Sequence, residues 1–279
     1  MKYGLPVVFV SALASVFAGE FSQRELRFDH ENGPYAASEI AADFGNGGAA
    51  PGRDFAIIKD GVLQVTFKAG KKVTETGLGL QSRVPDAEAC EISFRIRYPE
   101  DFQVGLHGKQ MGISGGAGYD GGRGEEARTN GDGWSVRIQF DALKDSIRNG
   151  LYVYHSGMAG KYGESLKAGS YQLQRGRWYS IRLRATAQSS AETGDGRIEV
   201  WCDDEKKIDA SGLRLVTKPK GVAVNRVRAE LFPGGGGAFP DKDYVIQVDD
   251  FCWAAARPER PSSPSAVVLP VPPDPASPR

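Results

Sequence analysis

The stretch Trp134-Ser-Val-Arg-Ile-Gln-Phe140 alternates apolar and polar residues without interruption. Successive side chains of a β-strand point to opposite faces of its sheet, so the alternation predicts a strand with one apolar and one polar face. The polar face would carry Ser135, Arg137 and Gln139. The apolar face would carry Trp134, Val136, Ile138 and Phe140.

The same two-residue period recurs along the chain, between clusters of Gly, Asp, Asn and Pro. It is found in Phe55–Ile58, Leu63–Phe67, Cys90–Tyr98, Leu151–His155, Trp178–Ala185, Arg197–Cys202, Val227–Phe232 and Tyr244–Trp253. Many short strands with almost no helical period predict an all-β sandwich or barrel and exclude a doubly wound α/β fold.

The composition is that of a globular chain without a bulk electrostatic partner. Of 279 residues, 40% are hydrophobic, and 35 Lys+Arg balance 35 Asp+Glu. The zero net charge argues against nucleic-acid binding and against a polybasic membrane surface. A locally basic groove remains compatible with this balance.

Both ends of the chain differ from its middle. Residues 1–18 carry Lys2 and then an apolar run shorter than a membrane span, which predicts a removed signal peptide and a secreted or periplasmic protein; a membrane anchor is the alternative. Residues 257–279 are rich in Pro, Ser and Ala and predict a disordered tail, with a ligand for a partner domain as the alternative. The folded domain is expected over 20–256, as a monomer with no membrane contact after signal removal.

The cysteines Cys90, Cys202 and Cys252 each lie in register with apolar strand neighbours. An odd, small number of cysteines does not make a disulfide framework, so buried thiols are expected, with one bridge left open. No Cys/His spacing resembles a zinc site. We expect no metal and no cofactor; a structural calcium ion is left open without a sequence signal for it.

A second polar face is predicted on Leu151-Tyr-Val-Tyr-His155, where Tyr152 and Tyr154 point the same way. If this strand neighbours the Trp134–Phe140 strand, one sheet face carries Ser, Arg, Gln and two Tyr. Such a collection indicates a binding or catalytic face. His155 is expected on the opposite face, unless the strand has already ended there.

The segment 105–133 is rich in glycine and contains Lys109. Glycine density favours close backbone approach to a ligand, or a mobile lid. The segment is not a phosphate-binding loop, because Gln110 follows Lys109 where that motif needs Ser or Thr.

Known catalytic motifs are largely missing, which narrows the chemistry. Paired carboxylates with glycosidase spacing do not occur, and Glu199 and Asp203 are read as parts of a strand end and an exposed turn. A Lys, an Arg and two Tyr suit β-elimination on a uronic acid instead. That reaction needs a cation at the carboxylate, a group that abstracts the neighbouring proton, and a donor to the leaving oxygen.

Several blocks of the sequence resemble, in this order, those of the polysaccharide lyase family 14 alginate and glucuronan lyases, with the family 20 glucuronan lyases as near relatives. The blocks are Gly105-Leu-His-Gly-Lys-Gln-Met-Gly-Ile-Ser-Gly-Gly116, Gly133-Trp-Ser-Val-Arg137, Leu151-Tyr-Val-Tyr-His155, Gly160-Lys-Tyr-Gly163, Gly176-Arg-Trp178 and Phe232-Pro-Gly-Gly235 with Asp249-Asp-Phe251. The resemblance implies a β-jelly roll of concanavalin A-like type, in which two antiparallel sheets form a concave groove. It also implies an anionic polysaccharide substrate, β-elimination and no redox cofactor.

By the same resemblance, the family's functional residues fall on Lys109, Ser135, Arg137, Tyr152 and Tyr154. Arg137 and Lys109 would bind and neutralise the carboxylate, and the two tyrosines would accept and donate the proton, in an order the sequence leaves open. The family's Lys-Leu-Pro-Gly is Lys109-Gln-Met-Gly112 here, a departure that removes a fixed backbone angle and adds a polar side chain.

Other candidates for substrate contact are weaker. Gln139, His155, Lys161 and Tyr162 are the remaining candidates to line the groove. Arg228 and Glu230 share a strand face and point either into the groove or to the surface, and the sequence favours a surface ion pair.

Two further functions compete with a lyase. A non-catalytic, lectin-like sandwich would use the same groove without an acid or a base. A structural adhesion domain displayed through the Pro-rich tail would need neither a groove nor a sugar.

Overall fold

The computed structural model describes residues 21–45 and 55–256. The described chain consists mainly of strands and loops, with two short α-helices and two single-turn 3-10 helices, Val73–Glu75 and Pro219–Gly221. In chain order these are β1 (Phe21–Leu26), β2 (Gly33–Pro34), α1 (Ala37–Phe44), β3 (Ala56–Lys59), β4 (Val62–Phe67), β5 (Leu78–Ala87), β6 (Ala89–Arg97), β7 (His107–Gly116), α2 (Gly124–Asn130), β8 (Gly133–Ala142), β9 (Ile147–Tyr154), β10 (Glu164–Leu173), β11 (Tyr179–Thr186), β12 (Gly196–Cys202), β13 (Glu205–Leu213), β14 (Val224–Pro233) and β15 (Tyr244–Ala256).

The strands form two antiparallel sheets. One, here called the site sheet, has the order β10-β9-β8-β7-β14-β5. The other, here called the back sheet, has the order β13-β12-β11-β6-β15-β4-β3-β2, with β1 also paired to β15. This unclosed, two-sheet architecture confirms the predicted all-β jelly-roll sandwich.

The core lies between the two sheets. Trp134, Val136, Ile138 and Phe140 of β8 are all fully buried on its inner face. Residues such as Ile92 and Phe94 of β6 bury the inner face of the back sheet. Burial of this apolar area, at roughly 25 cal/mol per Å², is the main force that holds the sheets together. The alternation in the β8 sequence therefore predicted the correct face.

Part of the glycine-rich segment is regular structure: its residues 107–116 form β7, an inner strand of the site sheet, and are therefore not a lid. The glycines are needed because neighbouring chains come too close for side chains. A Cβ on Gly108 would lie 2.1 Å from the Phe232 carbonyl oxygen, and one on Gly112 would lie 2.3 Å from that of Val136. The close backbone approach occurs between strands of the sheet; the expected approach to a ligand stays a prediction.

A β-bulge distorts β7 at the Lys109 position. Lys109 pairs with Gln139 and Gly112 with Arg137, so β7 has one more residue between these pairs than β8 has. A bulge changes which way the following side chains point and bends the strand. Here it brings Lys109 and Gly112 to the same outer face.

The departure from the family's Lys-Leu-Pro-Gly is accommodated inside this bulge. Gln110 is fully buried, and its Nε2 donates hydrogen bonds to Tyr98 Oη at 2.8 Å and to Asn149 Oδ1 at 2.5 Å. A buried amide is costly unless it is hydrogen-bonded; these two partners satisfy both of its N–H donors, while its buried Oε1 has no partner among the described residues. The polar residue is thus part of the core's hydrogen bonding and does not reach the outer face.

Cys90, Cys202 and Cys252 are buried free thiols, as the strand register predicted. Burial raises the pKa of the Cys202 thiol to about 11 and that of Cys252 to about 12. The predicted signal peptide at 1–18 and the predicted tail at 257–279 lie outside the described residues. No helix in the described part of the chain is long and apolar enough to cross a membrane.

Candidate active site

Strands β8 and β9 are neighbours, and their register brings the predicted polar residues together. Arg137 lies opposite Tyr152, and Ser135 lies opposite Tyr154. Because cross-strand partners point to the same side of a sheet, these side chains share the outer face of the site sheet. The sequence predicted this shared face, and the pairing confirms it.

Lys109 is held at the centre of this face with little exposure to water. It is 8% exposed, its Nζ donates to Gln139 Oε1 at 3.0 Å, and the same Nζ lies 3.6 Å from the centroid of the Tyr152 ring. Burial and the nearby Arg137 guanidinium lower the pKa of Lys109 to about 7, while Asp141 acts weakly in the other direction. A large fraction of Lys109 is therefore an uncharged amine at neutral pH.

Arg137 is a buried cation next to both tyrosines. Its Nη1 pairs with Glu230 Oε2 at 3.3 Å, and its Cζ lies 5.7 Å from the Tyr152 ring and 5.6 Å from the Tyr154 ring. Within residues 21–45 and 55–256, its buried Nε has no hydrogen-bond partner. Arg137 thus has one buried N–H donor that no described group satisfies.

The two tyrosines differ in their surroundings. Tyr154 is buried, and its Oη accepts a hydrogen bond from the Gly122 N–H at 3.0 Å. Tyr152 is half-buried and lies edge-on to Tyr154 with the ring centroids 5.8 Å apart. Burial and the neighbouring Tyr154 raise the pKa of Tyr152 to about 12. Tyr152 is therefore protonated over the whole neutral range.

A charged network beneath the site was not predicted as such. Arg228 is fully buried, with its Nη1 2.6 Å from Asp120 Oδ2 and 2.9 Å from Glu230 Oε1. Glu230 thus accepts from both Arg228 and Arg137. The predicted ion pair between Arg228 and Glu230 does form, but its predicted surface location is wrong. The segment after β7 covers the pair, and the Gly118 carbonyl oxygen accepts from Arg228 Nη2 at 2.6 Å.

Two of the other predicted residues take part in the site indirectly. Ser135 is fully buried, and its Oγ donates to the Tyr119 carbonyl oxygen, which anchors the covering segment. Gln139 Oε1 accepts from Lys109 and, at 3.5 Å, from Ser165 Oγ. Ser135 therefore holds the covering segment in place, and Gln139 holds the side chain of Lys109.

The last three candidates lie at the rim. Lys161 and Tyr162 are exposed, and a Cβ on Gly122 would lie 3.2 Å from the Tyr162 ring and 3.4 Å from Lys161 Cε. They are thus next to the turn that contacts Tyr154. His155 follows the last residue of β9, and its Nε2 lies 3.4 Å from Glu164 Oε2. It is outside the group formed by Lys109, Arg137 and Tyr152.

In the described ranges, no group of three or more His, Cys, Asp or Glu side chains is arranged to hold a metal ion. The chemistry that the described side chains support is acid–base chemistry beside a fixed cation: an amine near its pKa, a protonated phenol and a guanidinium. This combination suits proton removal next to a carboxylate.

Comparison with known proteins agrees with this geometry. The family described as Polysaccharide lyase 14 matches residues 58–250, which is more than half of the chain. Among solved structures, alginate lyase Aly36B in complex with an alginate tetrasaccharide has a TM-score of 0.77 at 22% identity, covering 86% of this chain and 99% of that one. Alginate lyase vAL-1 from Chlorella virus has a TM-score of 0.60 at 17% identity, covering 81% and 98%. At these identities, the solved structures show a common fold. No curated protein matches the chain.

Proposed function

Because the chain belongs to the polysaccharide lyase 14 family and is a polysaccharide lyase, we propose that it cleaves a uronate-containing polysaccharide of the alginate or glucuronan type by β-elimination. The observation that carries this proposal is the packing of Lys109 Nζ against Tyr152 and beside Arg137, in a site where the lysine titrates near neutrality.

Arg137 would bind the uronate carboxylate at the cleavage point. A guanidinium is always charged and offers paired donors to a carboxylate. Glu230 holds one end of Arg137 at 3.3 Å, which fixes its orientation before substrate arrives. Neutralising the carboxylate lets negative charge develop on it when the adjacent proton is removed.

Lys109 would accept that proton. Its uncharged amine is available because burial and Arg137 bring its pKa to about 7, near the pH at which it has to work. The C5–H bond breaks, the proton passes to Nζ, and the electron pair forms the C4=C5 double bond of the product. The sequence had given Lys109 the task of neutralising charge, and the buried position favours the base.

Tyr152 would donate a proton to the leaving oxygen as the C4–O bond breaks. A phenol with a pKa of about 12 is fully protonated at neutral pH, so it can give a proton but not take one. After the product leaves, the proton gained by Lys109 returns to the Tyr152 oxygen through solvent, which restores both groups. The reaction is balanced without an oxidant or reductant, and the absence of a redox cofactor stays a prediction.

Secretion, a monomeric state and the identity of the uronate remain predictions from the sequence. Export would give the enzyme access to an extracellular polymer, in keeping with the apolar segment at 1–18.

The test is a screen of purified protein against alginate, glucuronan and a neutral β-glucan, following the ultraviolet absorbance of the unsaturated uronate. We expect the absorbance to rise with at least one of the two uronate polymers and not with the neutral β-glucan. We expect Tyr152→Phe to lower kcat by about 10²- to 10⁴-fold with an unchanged circular dichroism spectrum. No rise with any uronate polymer would contradict the proposal.

A further inference from the structure

Two arginines lie directly opposite each other at the β14–β5 end of the site sheet. Arg226 of β14 pairs in register with Arg83 of β5. Like charges at directly opposed positions of an antiparallel pair are destabilising. Oppositely charged residues at such cross-strand positions would stabilise the sheet, so the presence of two arginines calls for an explanation.

Both arginines point to the same face as the active site. Arg226 lies opposite Ser114, which lies opposite Ser135, which in turn lies opposite Tyr154. The row therefore runs from Tyr154 across the sheet to Arg226 over three strand spacings, about 14 Å at the usual separation between strands. A short run of sugar residues can bridge this distance.

Neither arginine has an anionic partner within residues 21–45 and 55–256. No side-chain hydrogen bond or ion pair there involves the guanidinium of Arg83 or of Arg226, whereas their neighbour Arg228 is paired with both Asp120 and Glu230. Asp120 is close enough to act electrostatically on Arg226, but its carboxylate is already hydrogen-bonded to Arg228.

The surroundings of Arg226 make the absence of a partner costly. Burial lowers its pKa, and the adjacent Arg228 and Arg83 add to that effect. The guanidinium lies beside Gly118, where a Cβ would be 2.6 Å from Arg226 Nη1 and 3.2 Å from Arg228 Nη2. Arg83 is exposed at the edge of the sheet, so the pair is open to a ligand from solvent.

We propose that Arg83 and Arg226 form a second anion-binding subsite, which takes the carboxylate of a uronate residue away from the cleavage point in the same polysaccharide chain. This inference rests on the proposed function and names a further contact with the same substrate. A carboxylate between the two guanidinia removes their mutual repulsion and completes the ion pairs that the protein leaves open. The subsite favours a polymer that is charged along its length over one with a single uronate.

The test compares Arg83→Gln, Arg226→Gln and the double variant with the wild type in steady-state assays on alginate and glucuronan. We expect KM to rise about threefold to tenfold in each single variant and further in the double, with kcat within about twofold. The dependence of log(kcat/KM) on log(salt) should become shallower, because fewer cations meet the polymer. Arg226→Lys, which keeps the charge, should have a KM between those of the wild type and Arg226→Gln.

The matched control is Arg97→Gln, a partly buried strand arginine on the outer face of the back sheet, which should leave KM and the salt dependence unchanged. Thermal unfolding separates binding from structure: relief of the repulsion should keep or raise the Tm of both single variants. A KM of the double variant within twofold of wild type, or a Tm lowered by more than about 5 °C, would overturn the subsite.

The two proposals fail in different ways. If the wild type gives no unsaturated product, the lyase proposal on uronates fails, and calorimetric titration with alginate and glucuronan oligosaccharides still tests the subsite. Binding by wild type that is weakened in the double variant supports it, and equal binding by both contradicts it.

Discussion

Each sheet carries a cluster of cations around an aromatic ring on its outer face. On the back sheet, Trp201 has Arg182 Cζ at 4.3 Å and Lys206 Nζ at 5.1 Å from its ring. On the site sheet, Tyr152 has Lys109 Nζ at 3.6 Å. Both clusters place a basic group over an aromatic ring; the cation–π attraction, worth about 0.5–2 kcal/mol, acts on Lys109 only in its protonated form.

The clusters differ in their acids. On the back sheet, fully buried Glu91 pairs with Arg184 at 2.8 Å, and Glu199 pairs with Lys206 at 2.6 Å. On the site sheet, Lys109 has an amide partner instead of a carboxylate. A basic side chain paired with its own acid stays charged and stabilises the fold, whereas a buried basic side chain without an acid can bind an anionic ligand when protonated or accept a proton when uncharged. The comparison separates a structural surface from a chemical one.

The largest contrast is expected from removing one cation on each face. Lys109→Ala should lower kcat by about 10³-fold, since it removes the proton acceptor, while the protein stays folded. Arg184→Gln should leave kcat within about twofold but destabilise the fold by about 3 kcal/mol, because it breaks a buried pair. Polymer assays and urea unfolding measure the two effects. Loss of activity in Arg184→Gln as well as in Lys109→Ala would contradict the view that only the site sheet carries the chemistry.

The acids can be compared in the same way. Glu230→Gln should lower kcat/KM by about tenfold to a hundredfold, because Arg137 and Arg228 lose the carboxylate that they share. Glu199→Gln is the matched change on the back sheet and should lower the Tm without a change in kcat/KM. Equal kinetics for the two variants would mean that Glu230 does not position Arg137.

A smaller effect is expected on stability. With a pKa of about 7 in the folded state against an ordinary 10.5, Lys109 binds its proton more weakly folded than unfolded. Its presence therefore destabilises the fold increasingly as pH falls from about 10 to 7, and by a constant amount below. Lys109→Met should raise the Tm by several degrees at pH 6 and by little at pH 10, as scanning calorimetry can measure. A Tm lowered at pH 6 would contradict the buried-amine description.

Much of the site sheet could be predicted from local patterns. The alternation in β8 and β9 assigned Arg137, Tyr152 and Tyr154 to one face, because the two-residue period depends only on the strand itself. The resemblance added Lys109, whose place on that face depends on a bulge that alternation cannot reveal. Strands such as β10, which lies at a sheet edge and is mostly exposed, lack the apolar alternation and were missed.

The remaining features depend on contacts between distant segments. Burial of Arg228 follows from the covering segment that contains Gly118 and Asp120, more than a hundred residues earlier in the chain. The glycines of β7 signalled close approach but not which chains approach. Which of Lys109 and Tyr152 acts as the base and which as the acid likewise depends on their burial and on their distance from Arg137. Residue types alone do not give this information.

The pH dependence of kcat/KM on a uronate polymer tests the central claim, that Lys109 accepts the proton in this site, most directly. The wild type should gain activity from pH 5 to 8 with an apparent pKa of about 7, as Lys109 loses its proton. Lys109→Arg, which stays charged, should have less than about a thousandth of that activity across the range. A flat wild-type profile, or substantial activity in Lys109→Arg, would contradict the account.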